Sequence, residues 1–168
     1  MKLVPHALLD ELAAQAAVSP RARAHYNIHS GPADPVQRFL VVALGGAYFR
    51  PHRHASKSEL ALLLRGHVDV LIFDAHGRVT ARYPVGEGTD TLAYETPRDT
   101  WHTLVPGSGA IAFLEIKEGP YDAATATEFA AWAPAEGDAA VPQFQAWLRA
   151  ARRGDCPPHL SGSAAAPL

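Results

Sequence analysis

Gly46-Ala-Tyr-Phe-Arg-Pro-His52-Arg-His54-Ala-Ser-Lys-Ser-Glu59-Leu-Ala-Leu-Leu-Leu-Arg-Gly66 is the stretch on which the reading of this chain turns. His52 and His54 stand two apart in a run with strand character, Ala47–His54, so both side chains fall on one face. Neutral imidazole is the commonest metal-binding side chain, and two on one face make half of a metal site. The turn Ala55–Ser58 then leads to Glu59 at the head of the next apolar run, and a returning strand would bring its carboxylate alongside the two rings.

Outward from this segment the texture is that of a β-protein. Short runs rich in Val, Leu, Ile, Phe and Tyr recur about every ten residues. They are Val36–Leu44, Ala47–His54, Leu60–Leu64, Val68–Phe73, Val79–Pro84, Thr91–Tyr94, Trp101–Val105 and Ile111–Lys117. No strand–helix alternation is present, so the rhythm predicts an antiparallel sandwich or barrel. Asp74-Ala-His-Gly77 reads as a tight hairpin turn with glycine at the position that needs positive φ, and Pro106–Gly109 as a second turn. A short amphipathic helix is expected over Pro5–Ala17, stopped by Ser19-Pro20. A second is expected from about Pro142 to Arg153, where Phe144, Trp147, Leu148 and Ala151 share a face and Gly154 provides a stop. The organisation that follows is a lead-in with helix over 1–35, a β-region over 36–121 and an extension with helix over 122–156. The Ser-, Ala- and Pro-rich end, 157–168, reads as a disordered tail.

Composition excludes several function classes. At 168 residues the chain has room for one well-buried core. Its net charge of -2 offers no electrostatic footprint for nucleic acid, and no apolar run is long enough to cross a bilayer. The first residues lack the pattern of a secretory signal, and the single cysteine, Cys156, has no partner within the chain. A cytoplasmic protein is therefore the expectation. The phosphate-cradling Gly-x-x-x-x-Gly-Lys loop, the dinucleotide Gly-x-Gly-x-x-Gly turn and the Gly-x-Ser-x-Gly elbow are missing.

The quoted stretch resembles the first cupin motif, in which a glycine and five residues precede His-x-His, a glutamate follows after a short turn, and a glycine closes the second strand. Gly46, His52, His54, Glu59 and Gly66 occupy those positions. Pro97-Arg-Asp-Thr-Trp-His102 resembles the second motif, with Asp99 where a glycine is usual. The resemblance narrows to the WbuC-type cupin fold metalloproteins. It rests on Arg21–His29, Asp34–Arg38, Pro51–His54, Trp101–Thr103, Glu115–Tyr121 and Phe129–Pro134, and covers roughly residues 5 to 137. It implies a mainly β, single-domain cupin, a double-stranded β-helix or jelly-roll barrel with helices at both ends. It further implies a homodimer, and one divalent transition metal ion held by His52, His54, Glu59 and His102. In that family the genes often lie beside those for bacterial surface polysaccharides.

Three imidazoles and a carboxylate suit Fe, Mn, Ni or Zn, and at six-coordination they leave two positions for water or substrate. Isomerisation, epimerisation and oxygen-dependent cleavage of a small polar molecule are then open to the site. So is non-catalytic binding or sensing of a carbohydrate or carboxylate, or a purely structural ion. If alternation continues back from His52, Arg50 and Tyr48 share the interior face, and Glu115 and Lys117 share a face on the last β run. Arg50 or Lys117 would then hold an anionic group near the metal, unless Arg50 is solvated or pairs with Glu115. His29 is a further candidate over the barrel mouth.

Overall fold

The computed structural model describes residues 1–159. The expected tail therefore lies outside the described residues from position 160 onward, and Pro157 and Pro158 are half-buried. The elements in chain order are α1 (His6–Val18), β1 (Arg23–Asn27), β2 (Val36–Ala43), β3 (His52–Arg53), β4 (Glu59–Arg65), β5 (His67–Phe73), β6 (Val79–Gly86), β7 (Ala93–Thr96), β8 (Trp101–Pro106), β9 (Ile111–Glu118), β10 (Glu128–Phe129) and α2 (Val141–Ala150). The strands form two five-stranded antiparallel sheets, ordered β1-β2-β9-β4-β7 and β10-β3-β8-β5-β6.

Three apolar layers hold the fold together. Alternation along β4 turns Glu59, Ala61 and Leu63 inward and leaves Leu60 and Leu64 exposed. Ala61, Leu63 and Phe113 of the first sheet meet Val68, Val70 and Leu104 of the second in the inner core. Leu9 and Leu12 of α1 cover Leu40 and Val42 on the outer face of the first sheet. Phe144 and Leu148 of α2 cover Leu71, Phe73 and Val105 on the outer face of the second. Each fully buried side chain of this size contributes about 1.5–3 kcal/mol by leaving water. The carbonyls at the end of α2 are satisfied from outside the helix: Arg82 donates to the oxygens of Leu148 and Ala151, both at 2.9 Å.

Local chemistry explains the connections. Ser19 is extended (ψ 133), as a residue before proline prefers, and ends α1. Gly77 takes φ +84 in the hairpin between β5 and β6, as expected from its turn. Gly66 takes φ +69 between β4 and β5, where a Cβ would stand 2.8 Å from the Ala110 carbonyl oxygen, so only glycine fits.

Four features differ from the expectations. The run Ala47–His54 is a strand only at His52–Arg53, and the side-chain phase slips before it: Phe49 packs into the inner core and Tyr48 into the outer aromatic layer, the reverse of what alternation back from the inward His52 requires. The lead-in supplies an edge strand, β1, whose polar Arg-Ala-His-Tyr-Asn sequence hides its pairing with β2. The strand expected at Thr91–Tyr94 is shifted to Ala93–Thr96. The second helix ends at Ala150, with Ala151 already extended at ψ 136.

Candidate metal centre

His52 and His102 meet as register partners between β3 and β8, their ring centroids 4.4 Å apart. His54 follows on the same face, its ring 5.1 Å from that of His52 and 5.8 Å from that of His102. Ligand atoms of the three rings lie within 4.8 Å of one another. Glu59, at the head of β4 in the opposite sheet, reaches across so that Oε2 is 3.0 Å from His54 Nε2 and Oε1 is 3.6 Å from His102 Nε2. His54, Glu59 and His102 are buried.

The Nδ1 atoms show which ring nitrogens are free to coordinate. His52 Nδ1 faces the Arg50 carbonyl oxygen at 2.9 Å, His102 Nδ1 faces that of Thr100 at 2.9 Å, and His54 Nδ1 faces that of Ala126. A carbonyl can only accept, so each Nδ1 carries the proton and each Nε2 of a neutral ring presents a lone pair. His102 Nε2 is buried with no hydrogen-bond partner among the described residues. His54 Nε2 and Glu59 Oε2 are then two acceptors 3.0 Å apart, which repel unless a proton or a cation lies with them. Two ligand atoms each about 2.1 Å from one cation, at right angles, stand about 3.0 Å apart. The residues therefore fit a divalent metal ion.

The second motif departs from its usual glycine without losing the geometry. Asp99 adopts φ 59, a left-handed conformation that aspartate tolerates. Its N–H donates to the His54 carbonyl oxygen at 2.9 Å and its carboxylate pairs with Arg53 at 2.9 Å. The turn that delivers His102 is thereby tied to the strand that carries the other two histidines.

The inner face of the first sheet supplies the opposite wall. Register puts Thr96, Glu59, Lys117 and Gln37 in one row, and Tyr94, Ala61, Glu115 and Phe39 in the next. Lys117 Nζ lies 2.6 Å from Glu115 Oε1 and 3.2 Å from Glu59 Oε2. Glu115 and Lys117 thus stand beside the histidine cluster, Lys117 bonded directly to Glu59.

The other candidates are placed differently. Tyr48 does not share the interior face. It lies outside the second sheet, its hydroxyl donating to the Pro134 carbonyl oxygen at 3.0 Å and its ring edge-on to Phe144. Alternation fails there because Ala47–Pro51 is not a strand. Arg50 makes no ion pair with Glu115, whose cationic partner is Lys117. Its Nη2 instead donates to the Ala130 carbonyl oxygen at 3.0 Å, with the guanidinium over Phe129 beside His52. His29 is buried against Phe39, with Nδ1 accepting the Arg38 N–H at 3.0 Å. Phe39 also packs on Lys117, so His29 borders the wall through the Phe39 ring. Two hydroxyls on the wall, those of Tyr94 and Thr96, escape a sequence reading, because only the β4–β7 register shows them facing inward.

Electrostatics follow from burial and these contacts. Burial, reinforced by the positive charge His102 can carry, pulls His52 down to about 3. Burial would raise Glu59, but the His102 and His54 rings and Lys117 hold it well below the ordinary carboxylate range. Burial would lower His102, but Glu59 outweighs it and holds the ring above the ordinary imidazole range. Burial and the Glu59 charge raise Glu115, against the pull of Lys117. Burial would lower Lys117, yet the two carboxylates keep it protonated.

These directions predict acid sensitivity of the metal-free protein. The unfolded chain protonates His52 near 6.5 and the folded chain only near 3, so stability falls as pH drops through that interval. Glu59 acts the same way below 4.5, whereas the raised Glu115 opposes them only above 4.5. The steepest loss is expected between about pH 4.5 and pH 3, read from urea midpoints across that range. A midpoint that holds steady or rises on acidification there would contradict the assignment.

Comparison with known proteins agrees with the architecture. A family model described as a domain of unknown function (DUF6016) matches residues 4–85. No curated protein sequence matches the chain. Among solved structures, an oxalate oxidase in complex with glycolate superposes with a TM-score of 0.51 at 16% identity, over 68% of this chain and 58% of that one. CapF, a capsular polysaccharide assembling protein from Staphylococcus aureus, gives 0.53 at 17% identity, over 62% of this chain and 29% of its own. Oxalate decarboxylase from Bacillus subtilis gives 0.51 at 20%, over 65% and 28%.

The fold is a cupin jelly roll. The chain spans 58% or less of the length of those three proteins. Among the described residues no helix is long and apolar enough to cross a membrane.

Proposed function

We propose that this cupin holds one divalent transition metal ion, Fe, Mn, Ni or Zn, through His52, His54, His102 and Glu59, and that it acts on a small anionic or sugar-like molecule there. The observation that carries the proposal is the buried Nε2 of His102, without a hydrogen-bond partner among the described residues and aimed with the other two imidazoles at a carboxylate, an acceptor that meets their lone pairs only through a proton or a cation. When bound, the ion supplies Lewis-acid polarisation of a ligand oxygen or activation of a bound water.

The chain's own residues do the rest. Backbone carbonyls at Arg50, Thr100 and Ala126 orient the three rings and fix their tautomers. Lys117 steadies Glu59 and, with Glu115, lines the wall that faces the ion. Arg50 lies beside His52 at Phe129, where its cationic head can meet an anionic ligand. Membership of the WbuC-type cupins, a cytoplasmic place in surface-polysaccharide metabolism and a symmetric dimer belong to the same proposal, on the sequence motifs given above.

The experiment is a screen of the metal-loaded protein against nucleotide sugars and dicarbonyls, with and without oxygen. Turnover that His54→Ala abolishes is the expected result. Tight, metal-dependent binding without turnover would instead assign a binding or sensing module, the second reading that two open metal positions allow. Neither turnover nor binding with any of these compounds would contradict both.

A further inference from the structure

We infer that the outer face of β4 and β9 is the surface on which two copies of this chain pair, about a two-fold axis along the seam between those strands. The inference rests on the symmetric dimer proposed above and adds the surface and the axis.

Elsewhere the chain covers the apolar outer faces of its sheets itself. Leu9 and Leu12 of α1 lie on Leu40, Val42 and Ala112, and Phe144 and Leu148 of α2 lie on Leu71, Phe73 and Val105. An uncovered face of an antiparallel sheet ordinarily turns polar residues outward. The outward positions of β4 are instead Leu60, Leu62 and Leu64. Leu60 is 41% and Leu64 45% exposed among the described residues. Register sets Ile116 of β9 beside Leu60, and Leu114 beside Leu62, both half-buried. The helix α1 ends the patch on one side, where Asp10 bonds Arg65 at 2.9 Å. Adjacent aliphatic side chains with no charge among them form the kind of bare surface that marks a protein contact.

The charges at the borders say which protein fits. Extending the Leu60 row through both neighbouring strands gives Arg38, Ile116, Leu60 and Glu95, one residue each from β2, β9, β4 and β7. A two-fold parallel to the strands reverses that order in the facing copy. Ile116 then meets the partner's Leu60, and Arg38 meets the partner's Glu95. The next row, Leu114 and Leu62, matches its own reverse in the same way. Glu95 is exposed, and the Arg38 side chain is 39% exposed while engaging Asp34 through Nη2 at 2.9 Å. A different protein would have to supply both charges at this spacing, whereas a second copy does so by symmetry. Facing sheets pack about 10 Å apart, close to the thickness of a helix, so each α1 fits beside the seam in the layer between them.

The test is sedimentation equilibrium of the full chain and of Leu60→Glu, Glu95→Arg and Tyr83→Glu. Tyr83, 56% exposed on β6 of the other sheet, serves as the control. The parent is expected at twice the 18.0 kDa of one chain. Leu60→Glu is expected to weaken association at least about 100-fold, because it sets an unpaired carboxylate against an aliphatic face. Glu95→Arg is expected to weaken it about tenfold by facing two cations across the axis. Tyr83→Glu is expected to leave it unchanged. Should Leu60→Glu not fold, Glu95→Arg, at an exposed position, carries the test alone. A monomeric parent would overturn the surface and the symmetric dimer together. A dimer that Leu60→Glu leaves intact, or that Tyr83→Glu weakens as much, would overturn the surface alone. A dimer that Leu60→Glu splits and Glu95→Arg does not weaken would overturn the axis. Each of these failures leaves the metal reading in place.

Discussion

Replacing His102 with alanine is expected to weaken metal binding at least about 100-fold. Loss of a supporting contact alone typically costs 10–100-fold, and His102 is argued to be a ligand itself. The ring is 1% exposed and its Nε2 has no other partner among the described residues, so no nearby group can replace it without moving a strand. Thermal stability provides a second readout through linkage. With free metal at a thousand times the dissociation constant, the parent should gain about 4 kcal/mol; at the same concentration a 100-fold weaker variant gains only about 1.4 kcal/mol. Metal content after desalting, and the midpoint with and without added ion, check both expectations. A variant that retains a full equivalent of metal and the full stabilisation would remove His102 from the centre.

The second large effect concerns the cover of the second sheet. Phe144→Ala is expected to destabilise the protein by about 3–5 kcal/mol, the usual range for truncating a buried phenylalanine. Phe144 is 0% exposed, with its ring centroid 5.1 Å from that of Trp147 and 6.4 Å from that of Trp132, and Tyr48 edge-on to it. Domains of this size hold about 5–15 kcal/mol in all, so the loss is a large share. It also bears on the site, because the same C-terminal extension supplies the Ala126 carbonyl that orients His54 and the β10 strand that pairs with His52. Equilibrium urea unfolding measures the change, and a loss under about 1 kcal/mol would show that α2 is not part of the cooperative core.

How much of this was legible in the sequence differs from element to element, for physical reasons. The β4 and β9 strands declare themselves as short apolar runs between turn residues, although their burial follows register and not hydropathy: Glu59 is buried while Leu60 and Leu64 are exposed, and β9 is covered on both faces over Ile111–Phe113. The two histidines, the glutamate and the distant His102 could be grouped because their spacing around turns matches a known motif, and the structure brings them together. The segment before His52 could not be read correctly. Period-two reasoning assumes a continuous strand, and the non-strand residues between Phe49 and His52 shift the phase, so that Phe49 rather than Tyr48 faces inward with the histidines. Short edge strands such as β1 and β10 bury little on either face and so leave no hydrophobic pattern. The inward hydroxyls of Tyr94 and Thr96, and the carbonyl of Ala126, depend on register and loop path, which no local sequence feature encodes.

X-ray absorption at the metal edge, on protein reconstituted with a single equivalent of Zn(II) and freed of excess ion, tests the central claim most directly. The expected spectrum shows three imidazole nitrogens, recognisable by scattering from their rings, with carboxylate oxygen completing the shell, and one ring lost in His102→Ala. A shell made only of oxygen, or a spectrum that His102→Ala leaves unchanged, would contradict it.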